Sequence, residues 1–320
     1  MTVLVTGGAG YIGSVTVDAL RAAGDDVVVL DDLSEGHREA VDADVPFVEG
    51  RTGDRDLVRR VIDHHGVDAC VHFAAFTAVG DSVRRPARYM ENNVVQGIGL
   101  FTALAEAGVE HVVLSSTAAV YGEPGVVPIP ETAPLRPTNP YGHTKRFLEQ
   151  VLADYETAYG MRSVALRYFN AAGAVGRRGE RHDPETHLIP NILKAARGEW
   201  DLAVFGDDYP TPDGTAVRDY VHVADLADAH VLALRHLREG GASDRINLGS
   251  GSGFSVLEVI GTAKRVTGID IPFTIEGRRA GDPPTLVASS QRARDVLGWD
   301  PTRTDLGVIV GSAWEWMQSR

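Results

Sequence analysis

This sequence predicts an α/β protein built on a doubly wound parallel sheet, with a smaller α+β domain laid over it. Three observations carry that expectation. Short apolar runs without polar alternation recur at residues 3–5, 27–30, 69–73, 112–114 and 163–166, as strands covered on both faces require. Stretches with helical spacing, such as Leu57, Val58, Val61 and Ile62, separate them, which is the βαβ alternation of a Rossmann-type sheet. Beyond Asn170 the regularity breaks: residues 173–184 are rich in Gly, Arg and charge, and residues 207–214 string together Asp, Pro and Gly. The expected division is a dinucleotide-binding domain at 1–170, to which later segments at about 215–230 return, and a mainly substrate-binding domain at 171–320.

The first strand, Val3-Leu4-Val5, runs into Gly7-Gly8-Ala9-Gly10-Tyr11-Ile12-Gly13. Gly7 permits a tight turn, Gly10 lets backbone N–H groups approach a pyrophosphate, and Gly13 lets the following helix pack closely on the strand. That helix, opening near Tyr11 and Ile12, points its N-terminal partial charge at the phosphates. The second strand ends in Asp31-Asp32, where a carboxylate can accept ribose hydroxyls and repel a 2′-phosphate, favouring NAD over NADP. The third run holds Cys70, the one cysteine in the chain; a disulfide framework is excluded, and a packed core thiol is expected.

The fourth run leads into chemistry. Ser115-Ser116-Thr117 follows Val112-Val113-Leu114, displaying hydroxyls at a strand's carboxyl end, where Thr117 can hydrogen-bond a substrate hydroxyl. In Tyr141-Gly142-His143-Thr144-Lys145 a tyrosine precedes a lysine by one helical turn. A cation beside the phenol, with a positive nicotinamide ring nearby, lowers a pKa normally near 10, so Tyr141 is a candidate general base.

Composition bounds the rest. At 320 residues with 43% hydrophobic content, the chain suits two domains with ample core. No run approaches the roughly 18 apolar residues that span a bilayer, and no signal peptide is recognisable at the start; neither membrane association nor secretion is expected, and the location is read as cytoplasmic. A net charge of −13 without a basic tract argues against nucleic acid. No His/Cys/Asp cluster shows metal-ligand spacing, so no metal is expected.

These residues together resemble the extended short-chain dehydrogenase/reductases, and within them the UDP-glucose (UDP-galactose) 4-epimerases, over essentially the whole chain. The matching motifs are Thr6 to Ser14, His72-Phe73-Ala74-Ala75, Ser115-Ser116-Thr117-Ala118-Ala119-Val120-Tyr121-Gly122, the Tyr141 to Lys145 motif, Arg167-Tyr168-Phe169-Asn170 and Val217-Arg218-Asp219-Tyr220-Val221-His222-Val223. The resemblance implies a tightly held NAD that is not consumed: Tyr141 takes the proton of the sugar 4-hydroxyl, C4 gives up its hydride, and a 4-keto sugar turns over before the hydride returns to its other face. It assigns Phe73, Ala74, Asn92, Ser115 and Tyr168 to the cofactor beside the residues above. Asn170, His187 and Leu188 then line the nucleotide side, Arg218 and Arg279 grip the phosphates, Phe205 stacks on uracil, Asp282 contacts the uridine ribose, and Tyr220 and Leu286 fall on the substrate side. A homodimer through a four-helix bundle of residues 86–107 and 141–159 is also implied.

Three departures from the resemblance stand out. Arg51 replaces an aspartate that receives the adenine amino group, Thr77 replaces a lysine that reaches the cofactor, and Leu286 replaces a bulky tyrosine that limits sugar size, opening the site to N-acetylated sugars. Among rival readings, a nucleotide-sugar dehydratase needs an Asp-Glu pair after the threonine, where this chain has Ala118-Ala119. A ketoreductase is disfavoured by Asp31-Asp32, and a non-catalytic NAD-binding protein by the presence of Tyr141, Lys145 and Thr117.

Overall fold

The computed structural model describes residues 1–279 and 282–320. Its centre is a seven-stranded, wholly parallel sheet formed by β1 (Thr2–Thr6), β2 (Asp26–Asp31), β3 (Phe47–Glu49), β4 (Val67–His72), β5 (His111–Thr117), β6 (Arg162–Tyr168) and a late strand, β10 (Asp244–Leu248). The spatial order is β3-β2-β1-β4-β5-β6-β10. The direction of winding reverses between β1 and β4, which opens a crevice outside their carboxyl ends.

Alternation within each strand divides the core between two faces. Val3, Val5, Val27, Val29, Val71 and Val113 face α1 (Tyr11–Ala22) and α8 (Val223–Arg238), whereas Leu4, Val28, Leu30, Cys70, Val112 and Leu114 face the opposite layer. That layer is α2 (Arg55–His65), α5 (Gln96–Glu106) and α6 (Pro140–Tyr159), with the short α3 (Val79–Arg84) and α4 (Pro86–Tyr89) joined to α5 by a π-wound segment, Met90–Val95. Cys70 is fully buried, and burial pushes its thiol well above the ordinary range. The helices begin and end where the sequence supplies caps. Asp54 accepts from Leu57 N at 3.0 Å to start α2, and Asn139 accepts from Gly142 N at 2.9 Å to start α6. Gly66 and Gly160, both left-handed, stop those helices.

The chain leaves this sheet after Tyr168. β7 (Asn170–Ala172), β9 (Val217–His222), β11 (Gly253–Ser255) and β13 (Thr285–Leu286) form a second sheet, and β8 (Leu202–Phe205) pairs with β12 (Phe273–Glu276). α7 (Leu188–Ala196), α9 (Val256–Thr267) and α10 (Leu306–Gln318) pack around a third core containing Ile192, Leu193, Val204, Ile260 and Val310. The segment at about 215–230 divides between β9, in the second sheet, and the start of α8, whose Leu226, Ala229 and Ala233 pack into the first core.

Candidate active site

A cleft of about 1250 Å³ runs along the carboxyl ends of the main sheet and under the second one. Its dinucleotide side starts at the glycine loop. Gly7 has φ +71°, and a Cβ there would lie 2.6 Å from Ala74 N; a Cβ on Gly13 would lie 2.2 Å from the carbonyl oxygen of Gly7. A side chain at either position would therefore break the turn that joins β1 to α1. Gly10 precedes α1 without a side-chain cap, so the first-turn N–H groups around Tyr11, Ile12 and Gly13 lack intrahelical partners at the cleft wall. This is an anion-binding arrangement, and it fits a pyrophosphate.

Asp31, 6% exposed at the end of β2, accepts from the backbone N–H groups of Ala9 and Leu33, both at 2.9 Å. Burial raises its pKa against those hydrogen bonds. Phe73 and Ala74 both donate backbone N–H groups to Thr6 O, at 2.9 and 3.2 Å, which holds the β4 loop over the glycines. Asn92 lines the cleft from the π-wound segment, but the amide that fixes this wall is its neighbour. Asn93 is fully buried, accepts from Phe76 N at 2.9 Å and donates to Phe76 O and Thr144 Oγ1. Arg51 and Thr77 also face the cleft. Arg51 stands 4.0 Å from Asp32 in an exposed ion pair.

The side that carries Thr117 and Tyr141 is more deeply set. Thr117 and Tyr141 both line the cleft and are buried, at 9% and 8% exposure. Lys145 is wholly buried behind them and donates from Nζ to the Ser115 carbonyl oxygen at 2.8 Å. Ser115 Oγ shares a short hydrogen bond with the Tyr168 hydroxyl. Burial pushes Tyr141 up to about 12, with Thr117 acting in the opposite direction, and drives Lys145 down to about 7 against the attraction of Glu149. The lowered phenol pKa expected from the sequence is therefore absent from the protein alone. A dry pocket penalises phenolate and ammonium alike until another charge enters. His72 is also buried, with Nδ1 2.7 Å from Thr6 Oγ1 and Nε2 unpartnered among the described residues; burial and Lys145 hold it neutral, at about 3.

Sequence reading passed over the buried network beneath this wall. Arg167 donates to both carboxylate oxygens of Glu149, at 2.9 and 2.5 Å, and to the Tyr121 hydroxyl at 2.9 Å. Ser116 Oγ donates to Glu149 at 2.5 Å, and Tyr121 donates to Asn247 at 2.7 Å. Glu149 lies one helical turn beyond Lys145, a spacing that would have singled it out.

On the nucleotide side, Asn170, His187, Arg218, Arg279, Asp282 and Leu286 line the cleft. Asn170 donates to Asp219 O at 3.1 Å. Arg218 is tied to Asp282 by a short ion pair, and Arg279 lies 3.8 Å over the Phe205 ring. Leu286 pairs with Arg218 across β13 and β9 and packs against Val120, Tyr121 and Ile129. Three expected residues stand behind the wall: Leu188 packs into the third core, Tyr220 is 4% exposed, and Phe205 lies under Arg279. Ala280 and Gly281 lie outside the described residues. Two carboxylates and two imidazoles, from Glu180, His182, Glu185 and His187, also meet on this wall.

Comparison with known proteins agrees with this geometry. Residues 3–249 match the model of the NAD dependent epimerase/dehydratase family. The chain is 52% identical to a UDP-glucose 4-epimerase of Lacticaseibacillus casei, covering 100% of this chain and 97% of that one. It superposes with a TM-score of 0.96 on the UDP-glucose 4-epimerase of Brucella ovis in complex with NAD, at 47% identity and over 98% and 97% of the two chains. With the Bifidobacterium longum UDP-glucose 4-epimerase, in complex with NAD+ and UDP, the TM-score is 0.93 at 37% identity, over 100% and 98%. With a family model matched over most of its length and relatives of this identity over the whole of it, the chain belongs to the NAD dependent epimerase/dehydratase family.

Proposed function

We propose that this chain inverts C4 of a UDP-hexose, interconverting UDP-glucose and UDP-galactose in the cytoplasm through a 4-keto intermediate. The observation that carries the reading is a single cleft joining the glycine loop and Asp31 to Thr117 and Tyr141 and onward to Arg218 and Arg279. Residues 1–170, with α8 and β10, hold the cofactor in this reading, and residues 171–320 mainly hold the nucleotide sugar. The first-turn amides of α1 hold the NAD pyrophosphate, and Asp31 holds the adenosine ribose. When bound, NAD supplies a hydride acceptor for C4 and later a donor.

Tyr141 takes the proton from the sugar 4-hydroxyl, and Thr117 hydrogen-bonds that oxygen. Lys145 sits behind them as the cation that favours phenolate once substrate and cofactor have expelled water. The same tyrosine returns the proton when the hydride goes back to the other face of C4. Arg218, released from Asp282, takes the phosphates as a planar fork, and Arg279 joins it. After Thr117, Ala118 and Ala119 offer no acid or base for removing water, which disfavours dehydration. Leu286 leaves room beside the sugar, and this favours acceptance of N-acetylhexosamines as a second reading. Exposed Met90, Val95 and Phe147 on the 86–107 and 141–159 helices support a homodimer.

Proton NMR of the purified protein with UDP-galactose in heavy water, without added cofactor, tests the reading. UDP-glucose whose C4 still carries protium is expected. A deuterated 4-keto deoxy sugar, or no turnover of any UDP-hexose or UDP-N-acetylhexosamine, would overturn it.

A further inference from the structure

The segment between β7 and α7 brings together four side chains that the epimerisation chemistry does not use as a group. Glu180 Oε1 lies 2.5 Å from His182 Nδ1, Glu180 Oε2 lies 3.7 Å from His187 Nδ1, and Glu185 Oε1 lies 2.7 Å from His187 Nδ1. The two imidazole rings are 5.4 Å apart. One ligand atom each from Glu180, His182 and His187 falls within 4.8 Å of the others. We propose that these three residues bind a divalent transition metal of the zinc class, with Glu185 orienting His187 or filling a fourth position.

The geometry asks for little rearrangement. Zinc held by nitrogen and oxygen at about 2.1 Å in a tetrahedron needs ligand atoms roughly 3.4 Å apart, and the distances here straddle that value. Two imidazoles with a carboxylate suit zinc, nickel or copper, whereas calcium and magnesium need more oxygens than the cluster offers.

Charge points the same way. The Glu180 and Glu185 side chains are 11% and 1% exposed, and among the described residues their ion pairs are all with imidazoles. Two buried negative charges can be balanced by two imidazolium protons or by one dication, so metal and protons compete for one site. Both carboxylates also lie near Tyr11 at the start of α1, whose pKa is raised first by burial and then by their charge, and Tyr11 donates to Gly173 O at 2.6 Å. A cation here fastens the segment that carries His187 into the cleft against the glycine-loop helix.

Zinc retention tests the proposal directly. The full-length protein, treated with chelator and desalted, is given a small excess of zinc chloride at pH 7.5 and gel-filtered, in a His64→Ala/His65→Ala background that removes a surface histidine pair. One equivalent of retained zinc, release of protons on binding, and loss of retention in His182→Ala and Glu180→Gln are expected, with no retention of magnesium. Cobalt(II) on the unaltered background protein provides a second readout that needs no folding of the site variants, and intense tetrahedral visible bands are expected. Absence of zinc retention, retention indifferent to both variants, or a weak octahedral cobalt spectrum would overturn the proposal.

Discussion

The two walls of one cleft solve the problem of holding polar groups by opposite means. On the wall proposed for catalysis, Tyr141, Lys145, Ser115 and Tyr168 are at most 8% exposed, and burial above all drives the tyrosine hydroxyls up and the ammonium down toward neutral forms. On the wall proposed for the nucleotide, Arg218, Arg279, His187 and His182 each lean on a partner, Asp282, the Phe205 ring, Glu185 and Glu180. One wall is finished by folding and waits for charge to arrive. The other holds partners that a ligand must displace, which keeps its arginines positioned without leaving bare charge in a dry site.

Four experiments press on that contrast. Tyr141→Phe removes the only group on the catalytic wall assigned to move a proton; turnover of UDP-galactose should fall about 10³-fold with an unchanged melting temperature, and a loss under tenfold would shift the base elsewhere. Arg218→Ala strikes the nucleotide wall, where a charged hydrogen bond is worth about 1.5–3 kcal/mol. KM for the UDP-sugar should rise roughly tenfold to a hundredfold with kcat changing less, whereas Asp282→Asn, which frees the arginine and alters a single expected contact with the uridine ribose, should do less.

The third test separates the walls by the sign of their pH dependence, read from melting temperatures of chelated, cofactor-free protein. Lys145 titrates near 7 when folded and near 10.4 when unfolded, so the unfolded chain binds the extra proton and stability rises with pH across that window. His182, held up at about 9 by its hydrogen bond to Glu180 against about 6.5 unfolded, contributes fully below pH 6.5 and loses its contribution as pH climbs through 9. Lys145→Met should flatten the rise, and His182→Gln should steepen it; equal slopes in the two variants would remove the distinction. Smallest is Leu286→Tyr, which should depress activity on UDP-GlcNAc a few-fold more than on UDP-galactose; an equal loss on both would show that Leu286 does not set sugar size.

The catalytic wall was also the more legible one in the sequence. Glycines at 7, 10 and 13 and the Tyr141/Lys145 spacing are local signals, because a turn and a helical face each fit within a few residues. The nucleotide wall is assembled from distant pieces: Arg218 meets Asp282 across 64 residues, and Phe205 meets Arg279 across the four strands and two helices that separate them in the chain. No periodicity encodes such pairs. Glu149 was hidden differently, since a carboxylate on a helix reads as solvent-facing until Arg167 and Ser116 close over it. The Glu180, His182 and His187 cluster escaped because its spacing matches no local ligand pattern and only the fold of the connecting segment brings it together.

The position of β10 has a consequence for synthesis. The core on one face of the main sheet needs Leu226, Ala229 and Ala233 from α8, and the sheet edge beside β6 stays open until residues 244–248 arrive. A nascent chain that has emerged only as far as α7 already carries β1 to β6 and the glycine loop, yet Val113, Val164 and Leu166, on the strands that α8 covers, lie bare. The main sheet therefore cannot close during translation until β7, β8 and β9 of the following region have also been made. The ribosome must release most of the chain before it can close, and until then an apolar sheet face and an unpaired strand edge are left for chaperones to guard.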